Sequence, residues 1–295
     1  MMEPREKLPY YAGLVQQGLE TWLPHEKGEL RQIFAAARYS ALAPGKRLRP
    51  ALLMEFYALC GGQAEDALPF ACGLEMIHNY SLIHDDLPCM DDDDLRRGRP
   101  ANHKVYGEAA ALLAGDALLT RAFEVMLSQS CPRILPVWAM KAASIIAFCA
   151  GMEGMIGGQM MDLAFEKNRP QAQQLEEMVR LKTGRLWLAA CAAGCALAGE
   201  EGDKMQRARH YADRIGLAFQ IQDDILDCEG DPEIFGKPIG SDQAKGKTTF
   251  VAFYGLEECR RMVQELTDQA VQAVAPLPGS EFLQQLAQEL TTRQK

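Results

Sequence analysis

An all-α fold follows from three features of the chain. Apolar residues recur at three- and four-residue spacing, runs of β-branched residues are scarce, and Ala, Leu, Glu, Gln, Met and Arg dominate. Those residues are good helix formers, and the spacing is the period of one helical face. Helices are predicted over 10–23, 28–38, 48–60, 64–85, 107–128, 133–150, 153–165, 171–199, 203–228, 249–274 and 280–293, with ends uncertain by about two to four residues. Ala43-Pro44-Gly45 separates the second from the third, and Gly61-Gly62 the third from the fourth. Arg99-Pro100 precedes the fifth, Cys131-Pro132 the sixth and Arg169-Pro170 the eighth. The stretch from Glu229 to Lys247 is polar and Gly-rich, and Pro276 to Gly279 precedes the last helix. Long polar loops of the first kind often act as lids.

With 295 residues and a hydrophobic share of 48%, the chain has enough apolar mass for a sizeable core, and a single domain over 1–295 is expected. No repeat of fixed period and no low-complexity stretch is present. A net charge of -9 argues against nucleic acid as a partner. The nine cysteines include no Cys-x-x-Cys. Cys191 and Cys195 share a helical face beside Ala and Leu and read as core thiols rather than a zinc site. Reduced thiols point to the cytoplasm. The polar start, Met1 to Lys7, is unlike a signal peptide. Trp187 to Gly199, read as the longest weakly polar stretch, is too short and Ala-rich to span a bilayer, so no membrane insertion is expected.

Two aspartate clusters carry the chemistry. One runs from His84-Asp85-Asp86 through Asp91-Asp92-Asp93-Asp94, and the other is Asp223-Asp224-Ile225-Leu226-Asp227. Each follows an apolar helical run. An acidic run after a helix can be a solvated loop, but two of them, one trailed by Arg96 and Arg97, argue for a site. Crowded carboxylates repel and are costly to desolvate, so they call for a multivalent cation. Hard oxygen donors suit Mg²⁺, which takes one or two carboxylates and fills its shell with water and substrate phosphate. Asp223 and Asp227 are one helical turn apart on one face, with Asp224 about 100° round. Asp85 and Asp91 are six apart with Pro88 between them, so the helix must bend or end near Leu87 for both to serve one site.

Basic residues supply the complementary half. Gly45-Lys46-Arg47-Leu48-Arg49-Pro50 puts three cations at a helix start, where backbone N–H groups also favour an anion. Arg96 and Arg97 suit phosphate. Lys237, Lys245 and Lys247 lie in the loop after the second cluster. His78 is two turns before Asp85, on nearly its face, and a phosphate contact and a hydrogen-bonded core role both stay open for it.

These motifs together resemble the trans-prenyltransferases of the isoprenyl diphosphate synthase family, and within it the bacterial farnesyl diphosphate synthases. The resemblance spans about residues 30–270. Asp-Asp-x4-Asp matches Asp85, Asp86 and Asp91, and Asp-Asp-x-x-Asp matches Asp223, Asp224 and Asp227 after Phe219-Gln220. The Gly-Lys-Arg-x-Arg-Pro motif matches Gly45 to Pro50, Lys-Thr matches Lys182-Thr183, and Gly-Gly-Gln-x-x-Asp matches Gly157 to Gln159 and Asp162. No motif position departs from the family pattern.

The resemblance implies helices bundled around a deep central cavity, a homodimer, and acidic motifs facing each other across the cavity mouth. It implies an allylic diphosphate held by three Mg²⁺ ions and by Arg96, Lys182, Thr183, Gln220, Lys237 and Lys247. It implies isopentenyl diphosphate in a metal-free pocket of Lys46, Arg49, His78 and Arg97. Thr183, Gln220 and a carbonyl near Lys182 would face the allylic cation. Tyr80 and Ser81, about one turn before Asp85, would set product length, an aromatic ring there implying the C15 product; a C20 product is the alternative. A non-catalytic relative would show a damaged acidic motif. A terpene cyclase would not need Lys46, Arg49 and Arg97. The five histidines give no further ligand set for a His-Asp phosphohydrolase.

Overall fold

A computed structural model of the chain describes residues 2–128, 131–229 and 248–292. Its helices follow the predicted order: α1 Pro4–Trp22, α2 Arg31–Ala41, α3 Leu48–Leu59, α4 Leu68–Asp85, α5 Asn102–Tyr106, α6 Glu108–Ser128, α7 Pro136–Ala150, α8 Met155–Lys167, α9 Ala172–Val179, α10 Arg185–Leu197, α11 Asp203–Glu229, α12 Phe250–Tyr254, α13 Leu256–Val274 and α14 Glu281–Thr292. The strands among the described residues are β1 Leu95–Arg96 and β2 Arg99–Pro100, an antiparallel pair.

Four departures from the expected elements matter. The stretch 64–85 opens with a 3₁₀ turn, Ala64–Ala67, before α4. The stretch 171–199 is interrupted by a π turn, Arg180–Gly184. Single glycines with positive φ, Gly107 at 85° and Gly255 at 76°, cut off the short helices α5 and α12. The β1–β2 hairpin was not expected, because strands of two residues leave no alternation to read. The apolar maximum also lies elsewhere than at Trp187 to Gly199: Pro136–Glu166 is long and apolar enough, by length and composition, to cross a membrane, with a mean hydropathy of 1.4 and 39% of that window buried. Residues 151–154 break it into α7 and α8.

The chain divides into two compact units, Met1–Ser144 with Ala196–Gly199, and Ile145–Cys195 with Glu200–Lys295. In the first unit α4 is the central helix. It is apolar nearly all round, as a fully buried helix must be, and packs on α1, α2, α3 and α6. In the second unit α11 packs along α13, with Ile221, Ile225, Phe250, Cys259 and Val263 in one cluster. Cys191 and Cys195 are fully buried in α10, as core thiols.

Candidate active site

The first acidic motif sits where α4 stops. Pro88 ends the helix, and the chain folds back: Leu87 N–H donates to His84 O, and Asp91 N–H donates to Asp85 O at 2.8 Å. Asp92 takes a φ of 49° to complete the turn. The backbones of Asp85 and Asp91 are thereby brought together. Asp86 is buried, and Arg96 grips both its oxygens, Nε donating at 2.9 and 3.3 Å. Arg96 also reaches Asp93 at 3.3 Å. This bidentate fork is the geometry guanidinium and carboxylate share, and it ties the hairpin to the end of α4.

The other basic residues of this unit gather around His78. Burial and the charges of Arg49, Arg97, Arg47 and Arg96 hold the His78 imidazole well below its ordinary range, so it is neutral at physiological pH. It offers a neutral hydrogen bond within a cationic cluster. The Arg97 guanidinium lies against Gly45, where an added Cβ would come within 2.9 Å of Nη1. Lys46 is exposed and Arg49 half-buried. Arg47, the third cation of the motif, points inward instead. Its backbone is left-handed, with a φ of 51°, its side chain is buried, and it pairs with Glu75 and donates to Gln16, Ala41 O and Ala43 O. Asn79 donates to Glu75 O at 2.8 Å, which extends this buried support along α4.

Tyr80 is 5% exposed, and its hydroxyl has no hydrogen-bond partner among the described residues. Burial, with the Asp85 charge, pushes that hydroxyl up to about 12. His84 meets the Tyr80 ring edge-on at 5.6 Å, and its Nε2 is 3.0 Å from Leu112 O of α6. Ser81 Oγ donates to His78 O at 2.9 Å, back into its own helix.

The second unit gathers the remaining residues around a cavity of about 140 Å³ lined by Asp162, Lys182, Thr183, Gln220, Asp224 and Thr249. Lys182 and Thr183 lie in the π turn, a distortion that often marks functional sites. Gly158 packs directly on that turn, and a Cβ there would fall 2.2 Å from Lys182 N. Lys182 Nζ pairs with Asp162 at 2.5 Å. Thr183 Oγ1 donates to Gln220 Oε1 at 3.1 Å, and Gln220 Nε2 donates to Asp224 Oδ1 at 3.1 Å. The other Asp224 oxygen accepts the Phe250 N–H at 2.8 Å, at the first turn of α12. Asp223 and Asp227 occupy one face of the unbroken α11, half-buried and buried respectively.

Lys237, Lys245 and Lys247 lie outside the described residues. The sequence reading gave no role to Asp162 beyond its motif match, although the ion pair with Lys182 makes it part of the same constellation. The motif spacing was the available signal; the pairing was not. Among the described residues no three acidic, histidine or cysteine groups converge into a metal cage. The carboxylates of the two motifs are hard oxygen donors, the kind Mg²⁺ takes one or two at a time while water and phosphate fill the rest of its shell. Asp86 and Asp224 already accept hydrogen bonds, but a carboxylate has lone pairs left for a cation.

Residues 31–277 match the polyprenyl synthetase family. The farnesyl diphosphate synthase of Geobacillus stearothermophilus is 44% identical over 82% of this chain and 81% of its own. The geranylgeranyl diphosphate synthase of Cyanophora paradoxa is 42% identical over 88% of this chain and 86% of its own. The crystal structure of the Helicobacter pylori geranyltransferase, complexed with magnesium and isoprenyl diphosphate, matches with a TM-score of 0.83 and 30% identity over 98% of this chain and 97% of that one. With both acidic motifs, the basic cluster around His78 and the Lys182-Thr183 turn inside the matched span, the chain belongs to the polyprenyl synthetase family of prenyltransferases.

Proposed function

We propose that this prenyltransferase joins isopentenyl diphosphate to dimethylallyl and then geranyl diphosphate, releasing diphosphate and ending at farnesyl diphosphate. Isopentenyl diphosphate binds through Lys46, Arg49, Arg97 and a neutral His78 N–H. The allylic diphosphate binds through Arg96, Lys182, Thr183 and Gln220, with Lys237 and Lys247 added from outside the described residues. Three Mg²⁺ ions, held by Asp85, Asp86 and Asp91 and by Asp223, Asp224 and Asp227, would stabilise the charge that develops on the leaving diphosphate.

The allylic C–O bond breaks, leaving a carbocation at the allylic carbon. Thr183 Oγ1, Gln220 Oε1 and a carbonyl of the π turn present negative dipoles to it. The double bond of isopentenyl diphosphate forms the new C–C bond, and the proton lost from the condensed cation passes to the released diphosphate. No side-chain nucleophile takes part.

The observation that carries the product length is Tyr80. A buried ring that meets His84 edge-on lies roughly one helical turn before Asp85, and on this reading the tail of an allylic chain anchored at the first motif runs back along that helix. The geranylgeranyl-named relatives keep a C20 product as the competing reading. Labelled isopentenyl diphosphate is to be incubated with dimethylallyl, geranyl or farnesyl diphosphate, and the dephosphorylated products separated. C15 as the main product from the first two starters supports the proposal. Mainly C20 would overturn the chain length, and no condensation with any starter would overturn the reaction.

The second unit leaves Phe148, Met152, Ile156 and Met160 exposed along the end of α7 and α8, Met152 at 87%. An apolar run of this kind marks an interaction surface, and we assign it to pairing of two copies, checked by sedimentation. The nine cysteines, five of them buried, fit a reducing, cytoplasmic setting.

A further inference from the structure

We propose that Tyr39 is a positioning residue for isopentenyl diphosphate recognition: it locks the β1–β2 hairpin and so fixes where Arg97 presents its guanidinium. The inference rests on the reading of Arg97 given above. The hairpin pairs only Leu95 with Pro100 and Arg96 with Arg99. Its two central residues, Arg97 at φ 54° and Gly98 at φ 73°, are both left-handed, as a two-residue turn that follows strand twist requires. Glycine adopts that backbone freely, but arginine does so against its own side chain. Such a conformation persists only where the surroundings over-determine it, and a two-stranded hairpin this short has no independent stability in water.

Its support comes from two sides. Arg96 grips Asp86 at the end of α4, which secures the β1 strand. The β2 strand is secured by α2. Tyr39 Oη donates to Pro100 O at 2.8 Å, and the Arg99 guanidinium lies 4.2 Å from the centre of the Tyr39 ring. Tyr106 of α5 meets the same ring edge-on at 5.7 Å. Asn102, two residues past the hairpin, donates to Ala36 O and Ser40 Oγ of α2, each at 2.8 Å. The turn that follows α2 supplies Gly45, against which the Arg97 guanidinium rests. One segment therefore holds both the backbone beneath Arg97 and the surface beside its guanidinium. Tyr39 touches the β2 strand through Pro100 and Arg99, so its action on the ligand passes through the hairpin.

The test measures KM for each substrate, kcat and Tm for Y39F, Y39A, R97A and the double variant Y39F/R97A. Y39F loses one hydrogen bond and keeps the ring under Arg99. It should raise KM for isopentenyl diphosphate about three- to tenfold, with the allylic KM and kcat within about twofold. Y39A should raise it further, so that Phe partly rescues Ala. Because Tyr39 acts through Arg97, Y39F/R97A should be no worse than R97A alone. A lowered Tm with KM unchanged in Y39F would make Tyr39 a stabilising residue only and overturn the proposal. Multiplying effects in the double variant would do the same. If R97A leaves both KM values unchanged, the error lies in the assignment of Arg97, and the positioning role falls with it.

Discussion

The two acidic motifs, which we propose hold the metal ions, are built on opposite kinds of backbone. In the second unit, Asp223 and Asp227 need only a continuous helix, since a four-residue spacing already places them on one face of α11. In the first unit the spacing is six, and α4 has to end so that Asp91 N–H can bind Asp85 O at 2.8 Å. Their partners differ as well. In the first, the Arg96 guanidinium forks onto Asp86. In the second, Asp224 accepts from the Gln220 amide and from the Phe250 N–H. Arginine forks suit a whole diphosphate held through charge.

The largest effects should come from removing the carboxylates themselves. Asp85→Ala and Asp223→Ala should each lower kcat by about 10²–10³-fold or more, the scale for losing a main electrostatic contribution, while circular dichroism stays helical. Near-normal turnover in both folded variants would contradict the metal assignment. Next comes the π turn. Gly158→Ala puts a methyl into the Lys182 backbone and should destabilise the fold by about 1–3 kcal/mol through overpacking. It should also depress kcat with saturating substrates; a variant with native Tm and kcat would show that the turn has room to spare.

Chain length gives a sharper, qualitative contrast within the first unit. Tyr80→Ala should shift product from C15 towards C20 and longer. Tyr80→Phe removes only a hydroxyl that has no partner among the described residues, so it should keep C15 and cost little or no stability. Identical product profiles for the Ala and Phe variants would remove Tyr80 from the floor of the cavity. The smallest effect is expected at His78. Its imidazole is already neutral, so lowering the pH from 8 to 6 should leave isopentenyl diphosphate binding unaffected by His78. His78→Gln, which keeps a neutral donor, should raise that KM by no more than about tenfold, the scale of one hydrogen bond. A KM that falls sharply as pH drops through 6.5, lost in His78→Gln, would mean that a charged imidazole binds the phosphate.

Much of this was legible in the sequence because spacing alone carries it. The helix order, the break after Leu87 that Pro88 demands, and the shared face of Asp223 and Asp227 all follow from local rules. What escaped depends on contacts between distant segments. Arg47 reads as one more phosphate ligand until Glu75, from α4, claims it. The π turn leaves no mark in a helix-forming stretch, because it is fixed by Gly158 from α8. Asp224 reads as a third metal ligand, yet it also holds the start of α12 from 26 residues away. The hairpin is too short for any periodicity, and its stability is borrowed from Tyr39 and Asp86.

The division between a guanidinium-lined site and a metal-assisted one is tested most directly by binding. Dissociation constants of isopentenyl diphosphate and of a non-reactive allylic thiodiphosphate are to be measured by calorimetry with magnesium and with EDTA. Isopentenyl diphosphate should bind equally well in both, within about twofold, and lose affinity in Arg97→Ala. The allylic analogue should need magnesium, and lose that dependence in Asp85→Ala and Asp223→Ala. Equal magnesium dependence for the two ligands would contradict the assignment of the basic cluster as a separate, metal-free site.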